Sequence, residues 1–298
     1  MKAYIQLMRP KHWVKNFLIF AALVFSGRLT DMPSLFTTVF AFFAFCLAAS
    51  AVYILNDIKD VEKDRNHEIK KNRPIASGKV PIANAWALEI FVLAASFLIL
   101  VISVRDWLYP LLFLALYFVF NVCYSFGCKN VPILDIAILV SGFLLRVLYG
   151  GAVIQQQVSS WLYLTVISLS FYLVLGKRRN ELIKTQSSPK ETRSVLKFYN
   201  QNFLDKNMYT CLAITIVFYS LWCVDSAAAG RTFGPLLIWT VPLVMLICMK
   251  YSLCVESGSY ADPVDVLLSN KTLLWSVIAY CVSIFVIIYL PMLGRGAA

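Results

Sequence analysis

The stretch LFTTVFAFFAFCLAASAVYILNDIKDVEKDR, residues 35–65, joins a long apolar run to a dense run of charge. About 20 apolar residues are enough for a helix to cross a bilayer, and the part that precedes Asn56 has that length. From Asn56 onward, acidic and basic side chains alternate closely. The stretch therefore predicts a membrane helix whose end carries an unusual concentration of charge.

The composition of the whole chain agrees with this prediction. Of its 298 residues, 60% are hydrophobic and 14% are charged, and the mean hydropathy is +0.72. A soluble domain has about 45–50% apolar and about 25% charged residues. The apolar runs are continuous rather than alternating, which excludes a membrane β-barrel. The sequence therefore predicts an all-α integral membrane protein.

The apolar runs predict nine transmembrane helices. They fall near residues 13–27, 34–55, 83–104, 107–124, 132–153, 160–176, 208–225, 234–250 and 272–293. No internal repeat or linker interrupts them, so we expect residues 1–298 to form a single polytopic membrane domain with a cytoplasmic cap of loops.

The net charge of +11 is unevenly distributed. Most basic residues fall in alternate loops, beginning with the N-terminus, and the positive-inside rule places these loops in the cytoplasm. We therefore expect a multi-pass protein of the bacterial inner (cytoplasmic) membrane, with its N-terminus and residues 55–80 on the cytoplasmic side. We expect membrane lipid and no nucleic acid among its partners, and the sequence leaves a homo-oligomer open.

The charged stretch places an amide and three carboxylates at helical spacing. On one helix, Asn56, Asp57, Asp60 and Asp64 would fall within an arc of roughly 100°. Like charges this close repel one another unless a cation lies between them. Hard oxygen ligands of this kind suit Mg²⁺, which combines a few carboxylates with substrate phosphates.

A solvated helix end is the alternative, with Lys59, Lys63 and Arg65 forming i,i+4 pairs. Spacing alone does not choose between the two interpretations. Arg73 and Lys79 follow in the turn-rich segment RPIASGKV. Carboxylates for a metal beside a guanidinium for phosphate favour a diphosphate site.

A second group of polar residues surrounds the fourth and fifth predicted spans. Tyr124, Ser125 and Lys129 fall in a predicted short loop, and Asp135 and Arg146 fall inside the next span. Charges inside a span indicate function by default, with a buried structural ion pair as the alternative. Asp135 and Arg146 would lie about 16 Å apart on one helix, so they cannot pair with each other there.

A third group, in LGKRRNEL, contains Lys177, Arg178 and Glu181 at the end of the sixth predicted span. Taken alone, it favours a basic membrane anchor. Asp262 and Asp265 lie in a later loop, where we weigh closure over the site against a helix N-cap and slightly favour the cap.

These motifs together resemble the UbiA superfamily of intramembrane prenyltransferases. NDIKDVEKD, residues 56–64, matches the N-D-x-x-D-x-x-x-D motif of that superfamily at every fixed position, and RPIASGKV resembles the segment that follows it. The resemblance implies a nine-helix bundle with Mg²⁺ at Asp57, Asp60 and Asp64, and with Asn56 orienting a ligand. The second motif of the superfamily, D-x-x-x-D after the sixth helix, is replaced here by GKRRNEL.

A subfamily shares this replacement. RPKHWVKN at the start, KNVPILDIAILVSGFLLRVLYGG and ADPVDVLL resemble the decaprenyl-phosphate phosphoribosyltransferase subfamily. The resemblance implies transfer of 5-phosphoribosyl from phosphoribosyl diphosphate (PRPP) to a long polyprenyl phosphate. It gives these candidate substrate-binding residues: Lys15, Asn16, Arg65, Arg73, Tyr124, Lys129, Asp135, Arg146, Lys177, Arg178 and Glu181.

Two other functions compete with this one. A UbiA-type enzyme that moves a prenyl group from a prenyl diphosphate to an aromatic acceptor would share the first motif, but it predicts a second acidic motif. A transporter would explain charges inside a span, but it predicts interrupted spans in corresponding positions of two halves, and the sequence shows no such symmetry.

Overall fold

A computed structural model describes residues 2–68, 70–187, 193–228, 234–257 and 262–295, and these residues form helices and no β-strand. The chain divides into two compact units. Unit 1 comprises residues 1–129 and 145–157, and unit 2 comprises residues 130–144 and 158–298. The single membrane domain expected from the sequence stays a prediction.

Unit 1 holds the N-terminal helices. They are α1 (Lys2–Met8), a 3₁₀ helix (Pro10–Phe20), α2 (Ala21–Phe25), α3 (Met32–Lys59), α4 (Val61–Arg65), a 3₁₀ turn (Lys70–Asn72), α5 (Ile82–Ser103) and α6 (Leu108–Phe126). A 3₁₀ turn (Cys128–Asn130) contains the last residues of this part of unit 1 and the first residue of unit 2. The next helix, α7 (Leu134–Val153), begins among the residues of unit 2 and ends among those of unit 1.

The centre of unit 1 is α3, which packs against α1, the 3₁₀ helix, α5 and α6. Small side chains allow this close packing, because Ala41, Ala44, Ala48 and Ala51 are all buried at helical spacing. Ser96 of α5 donates a hydrogen bond to the Ala44 carbonyl at 2.7 Å. The charged end of α3 therefore belongs to the best-packed helix of the unit.

Unit 2 holds the C-terminal helices. They are α8 (Ser160–Ser187), a 3₁₀ helix (Ser194–Phe198), α9 (Gln201–Ala228), α10 (Gly234–Leu237), a 3₁₀ turn (Ile238–Thr240), α11 (Val241–Glu256), α12 (Pro263–Ser269) and α13 (Lys271–Arg295). Its core joins Tyr172, Leu204 and Met208 to Tyr251 and Val255 of α11. The hydroxyl of Tyr172 bonds the Ser252 hydroxyl at 2.6 Å, so this core contains a satisfied polar contact.

Eight helical stretches of the described residues are long and apolar enough to cross a membrane: α3, α5, α6, α7, α8, α9, the stretch from α10 to α11, and α13. They correspond to eight of the nine predicted spans. The predicted ends of the spans differ from the observed helix ends where a helix continues into polar residues. The sixth span was expected to end at residue 176, yet α8 continues to Ser187. Hydropathy does not detect this extension, because its charged residues are stabilised by ion pairs, most of them with other elements.

The first predicted span, 13–27, has a different structure. It forms the last part of the 3₁₀ helix and then the short helix α2. Side chains three residues apart align in a 3₁₀ helix, and here Trp13 and Asn16 both face α3. Trp13 donates a hydrogen bond to Ser50, and Asn16 donates one to Cys46, each at 3.1 Å. The donors are three residues apart on the 3₁₀ helix and the acceptors are four residues apart on α3, so side chains on one face of each helix meet.

Candidate functional site

The first motif bends at its middle aspartate. α3 ends at Lys59, and Asp60 leaves the helical conformation (φ −90°, ψ 9°) before α4 begins at Val61. The Asp60 amide still donates to the Asn56 carbonyl at 2.9 Å, and the Asp64 amide donates to the Asp60 carbonyl at 2.8 Å. The motif therefore spans the end of α3 and the short helix α4, with a bend at Asp60, instead of the single continuous helix expected.

Asp57 is buried, with 2% of its surface exposed, and is neutralised by two arginines. Its Oδ1 accepts a hydrogen bond from Nη2 of Arg9 at 2.5 Å and another from Nη1 of Arg73 at 3.1 Å. A buried carboxylate needs such partners, because an unpaired charge away from water is very costly. The structure thus joins the motif to a residue 48 positions earlier in the chain.

Arg73 connects two of the motif's aspartates. The Nη1 that bonds Asp57 also donates to Oδ2 of Asp64 at 2.6 Å. Asp64 is buried as well. Two carboxylate oxygens therefore converge on one cationic nitrogen, which confirms that the first motif and RPIASGKV are neighbours.

Apolar packing holds Arg73 in this place. Ile75 and Val80, which follow it, are buried against Ile54 and Ile58 in the last turns of α3. The segment RPIASGKV therefore folds back onto the end of the helix that carries the motif.

Arg9 is a partner of the motif that the sequence did not predict. It has a left-handed backbone (φ 53°, ψ 57°) between α1 and the 3₁₀ helix, which is uncommon for a residue with a side chain. Its guanidinium carbon lies 5.1 Å from the centre of the Tyr53 ring. Leu7, two positions earlier, is buried in the same core as Ile54 and Ile58. Pro10 predicts that α1 ends here, but nothing local predicts that Arg9 pairs with Asp57.

Asp60 and Asn56 have partners from the end of α6 and the 3₁₀ turn that follows it. Nζ of Lys129 lies 3.4 Å from Asp60, which is partly exposed. The Ser125 hydroxyl donates to Oδ1 of Asn56, and Nζ of Lys59 donates to the Ser125 carbonyl at 2.5 Å. The structure thus brings Lys129, a candidate from the sequence, to the motif. The sequence placed Tyr124 and Ser125 in a loop, which is wrong, because both lie in the last turn of α6.

The donor set fits a divalent cation in part. Oxygens of Asp57 and Asp64 already converge on a positive group, Nη1 of Arg73. Carboxylate oxygens are the ligands that Mg²⁺ prefers. Within the described ranges, however, no group of three or more His, Cys, Asp or Glu side chains is arranged to hold a metal ion. Two of the three predicted ligands are therefore together, and Asp60 faces Lys129 instead.

A second polar cluster of unit 1 lies within the hydrophobic part of the chain, around Arg146 of α7. Its Nε donates to Oδ1 of Asn16 at 2.8 Å, and its Nη2 donates to the Tyr117 hydroxyl at 3.2 Å. Its guanidinium carbon lies 4.8 Å and 5.1 Å from the ring centres of Tyr117 and Phe45. Asn16 and Tyr117 are neutral hydrogen-bond partners, and the aromatic faces add cation–π contacts, so the structure brings Asn16 and Arg146 together.

Unit 2 contains a sealed ion network around Arg178. Its side chain has no exposed surface. Its Nε donates to Oδ2 of Asp135 at 2.7 Å, and its Nη1 donates to Oε2 of Glu181 at 2.6 Å. The buried structural pair weighed for Asp135 is therefore present, with Arg178 as its cation. Two carboxylates already neutralise the guanidinium that was expected to bind substrate.

Tyr199 completes this network. Its hydroxyl donates to Oδ1 of Asp135 and accepts from the Ile133 amide, both at 2.6 Å. Burial and the hydrogen bond to Asp135 raise the pKa of Tyr199 to about 12. The phenol therefore stays a proton donor to Asp135 across the physiological range.

Lys177 is paired with a later loop. Its Nζ lies 3.2 Å from Oδ2 of Asp262. Oδ1 of Asp262 accepts from the Val264 amide at 3.1 Å, so the prediction of an N-cap before α12 is confirmed. The other candidates lie apart from these pairs: Lys15 is half-buried on the 3₁₀ helix, and Arg65 is exposed on α4.

Comparisons with known proteins identify a family and relatives of this chain. The model of the UbiA prenyltransferase family matches residues 17–179. The decaprenyl-phosphate phosphoribosyltransferase of Corynebacterium glutamicum is 32% identical over 293 residues, which are 97% of this chain and 87% of that protein. The protein of the same name from Mycolicibacterium smegmatis is 33% identical over 282 residues, which are 90% of this chain and 87% of that protein.

A solved structure shows the same fold. The UbiA homolog from Archaeoglobus fulgidus bound to DMAPP and Mg²⁺ has a TM-score of 0.69 and 18% identity, over 96% of this chain and 98% of that one. The family model covers more than half of the chain, and the two curated relatives cover nearly all of it. The chain therefore belongs to the UbiA prenyltransferase family.

Proposed function

We propose that the protein transfers 5-phosphoribosyl from PRPP to a long-chain polyprenyl phosphate, such as decaprenyl phosphate, and releases diphosphate. The observation that carries this proposal is the similarity to two curated decaprenyl-phosphate phosphoribosyltransferases over at least 90% of the chain. In the transfer, the bond between ribose C1 and the diphosphate oxygen breaks, and an oxygen of the lipid phosphate forms the new bond to C1. A phosphate monoester is already an anion, so the reaction needs positioning and electrostatics more than a strong base.

Unit 1 provides the groups for the donor. Asp57, Asp60 and Asp64 would hold Mg²⁺, which supplies charge neutralisation on the departing diphosphate. Arg73 lies in contact with two of these carboxylates and Lys129 is close to the third, which supports a role for both in binding the diphosphate. A guanidinium matches phosphate oxygens with two parallel hydrogen bonds. Asn56 orients a carboxylate or a phosphate oxygen.

The acceptor requires a membrane. The multiple membrane helices fit a lipid substrate whose apolar tail stays in the bilayer. We place the protein in the bacterial inner membrane with the N-terminus and the motif on the cytoplasmic side, because the basic loops alternate along the chain. A homo-oligomer is compatible with this arrangement.

A second candidate is transfer of a prenyl group from a prenyl diphosphate to an aromatic acceptor. The observation that favours it is the shared fold with the Archaeoglobus fulgidus homolog, which was solved with DMAPP and Mg²⁺. The network around Arg178 argues against it, because GKRRNEL supplies a buried guanidinium where this function predicts a second metal-binding acidic motif.

The test supplies the purified protein with Mg²⁺ and either radiolabelled PRPP or radiolabelled prenyl diphosphate. Each donor is offered with a panel of polyprenyl phosphates of increasing chain length and with aromatic acceptors. We expect a labelled lipid only from PRPP and a polyprenyl phosphate. If PRPP gives no lipid-soluble product with any member of the panel, the proposed function is wrong. A product from prenyl diphosphate would establish the second candidate.

A further inference from the structure

One oxygen atom carries two guanidinium groups at the end of α3. Oδ1 of Asp57 accepts from Arg9 at 2.5 Å and from Arg73 at 3.1 Å. The same nitrogen of Arg73 bonds Asp64 at 2.6 Å. The two buried carboxylates that would serve as metal ligands are therefore already bound to cations that belong to the chain.

These bonds leave little room for another cation on the shared oxygen. A carboxylate oxygen has about two lone-pair positions, and Arg9 and Arg73 use both on Oδ1 of Asp57. Mg²⁺ binds its oxygen ligands at about 2.1 Å. A cation that binds Oδ1 at this distance must therefore displace at least one guanidinium, and the remaining positive charge opposes its entry.

The two arginines can change partners without burying an unpaired charge. Arg9 is 24% exposed and Arg73 is 29% exposed, whereas Asp57 is 2% exposed. When a cation binds the carboxylate in their place, both guanidinium groups remain partly exposed, where water or an anion can reach them. Phosphate oxygens are the anionic partner that a guanidinium fork fits best.

We propose that Arg9 and Arg73 are exchangeable counter-ions of the motif. They hold Asp57 and Asp64 until a divalent cation takes these carboxylates, and they then bind the diphosphate that accompanies the cation. The identity of that diphosphate rests on the function proposed above. A bound cation frees the guanidinium groups to bind diphosphate, and a bound diphosphate draws away the guanidinium groups that oppose the cation. Each ligand therefore strengthens the binding of the other.

The pair between Lys129 and Asp60 is not part of this exchange. Its shortest distance is 3.4 Å, and both side chains are partly exposed. Water screens such a pair, so it opposes a cation only weakly. The proposal is therefore specific to Arg9 and Arg73.

The first experiment measures Mn²⁺ binding to the purified protein by electron paramagnetic resonance, without PRPP or lipid. We expect Arg73→Gln to tighten Mn²⁺ binding by about tenfold or more, the lower end of what a neighbouring charge does to a carboxylate. Lys71→Gln is the matched control, because Lys71 is exposed two positions away and loses the same charge. The control should change binding by about twofold at most, since exposed charges are screened. Equal or weaker Mn²⁺ binding by Arg73→Gln would overturn the proposal.

The second experiment measures how much Mn²⁺ tightens the binding of inorganic diphosphate. We expect this coupling to fall by about tenfold in Arg73→Gln and in Arg9→Gln, because the released guanidinium is then missing. Arg9→Gln also provides an independent test if Arg73→Gln does not fold, since both residues bind the same oxygen. Coupling equal to that of the unaltered protein in the folded variants would contradict the exchange.

The outcomes separate this inference from the proposed function. A protein that shows the exchange with Mn²⁺ and diphosphate but no PRPP turnover keeps the inference and loses the proposed donor. A protein that consumes PRPP, but whose Arg73→Gln variant binds Mn²⁺ no more tightly, keeps the function and loses the inference.

Discussion

The ion network at the end of α3 in unit 1 and the network around Arg178 in unit 2 contain the same chemical groups and each has a buried carboxylate, but they differ in the exposure of the cation. In the first, the carboxylate is sealed and the cations are open: Asp57 is 2% exposed and Arg73 is 29% exposed. In the second, the cation is sealed: Arg178 has no exposed surface and is enclosed by Asp135 and Glu181.

The difference teaches which network can exchange its partners. A guanidinium at the surface can leave a carboxylate and remain solvated, whereas a guanidinium without exposed surface has no water to replace a carboxylate that is removed. We therefore expect changes in the first network to affect ligand binding and turnover, and changes in the second to affect folding.

The strongest test of this comparison is Arg178→Met. Removing Arg178 takes the cation from the buried carboxylate of Asp135, and breaking a buried ion pair in this way costs about 3–5 kcal/mol. We expect a large fall in the thermal unfolding midpoint in detergent. Lys184→Met is the matched control, because Lys184 is exposed on the same helix and should change the midpoint little. A normal midpoint with a raised KM for PRPP would break the comparison and make Arg178 a substrate-binding residue.

Asp57→Asn tests the network at the end of α3. Loss of this charge should reduce kcat/KM by about 10²–10³-fold, as for other groups that stabilise developing charge. The fold should survive, because both arginines that bind Asp57 are partly exposed. Turnover of PRPP and size-exclusion elution measure the two effects. Asp31→Asn, the same change at the exposed opposite end of α3, serves as the control and should be active. Full activity of Asp57→Asn would remove the metal role.

These two networks also show what the sequence could predict. Eight membrane helices follow from hydropathy, because each depends on its own local run of apolar residues. Arg73 could be placed beside the motif because it lies only 16 positions from Asp57, in a turn-rich segment. The bend at Asp60 was not predictable from spacing, since the backbone hydrogen bonds continue across it.

The remaining parts depend on long-range partners. Arg9 lies 48 positions from Asp57, and Asp135 lies 43 positions from Arg178. Sequence shows that a buried charge needs a partner but not which residue supplies it. Arg178 was therefore interpreted as a phosphate ligand, although its two carboxylates come from α7 and from its own helix. The 3₁₀ helix was likewise hidden, because its register is set by Ser50 and Cys46 of α3.

Gly150 in unit 1 and Gly176 in unit 2 differ in how closely neighbouring atoms pack against them. A Cβ on Gly150 would lie 2.0 Å from the Ile19 carbonyl oxygen, whereas a Cβ on Gly176 would meet Sδ of Met208 at 3.4 Å. Gly150→Ala should therefore cost about 1–3 kcal/mol through overpacking. Gly176→Ala should be nearly neutral, because contact is ordinary and alanine favours the helix by about 1 kcal/mol. Equal melting midpoints in the two variants would contradict the close approach of α7 to the 3₁₀ helix.

The smallest effect is expected for Tyr199→Phe, which removes a hydroxyl from the sealed network. Loss of its hydrogen bond to Asp135 should cost about 1 kcal/mol at neutral pH. The pKa of Tyr199 is raised to about 12, above the ordinary value of 10. Its contribution is therefore complete below pH 10 and is lost as the pH rises towards 12, because the unfolded chain releases this proton first.

The measurement compares the unfolding midpoints of the unaltered protein and Tyr199→Phe at pH 8 and at pH 11. The difference between the two proteins should shrink at pH 11, since only the unaltered protein carries the raised phenol. Other tyrosines titrate equally in both proteins and cancel in this difference. If the difference in midpoint were the same at pH 8 and pH 11, the Tyr199 hydroxyl would not be hydrogen-bonded to Asp135. Tyr199 would then not belong to the network around Arg178.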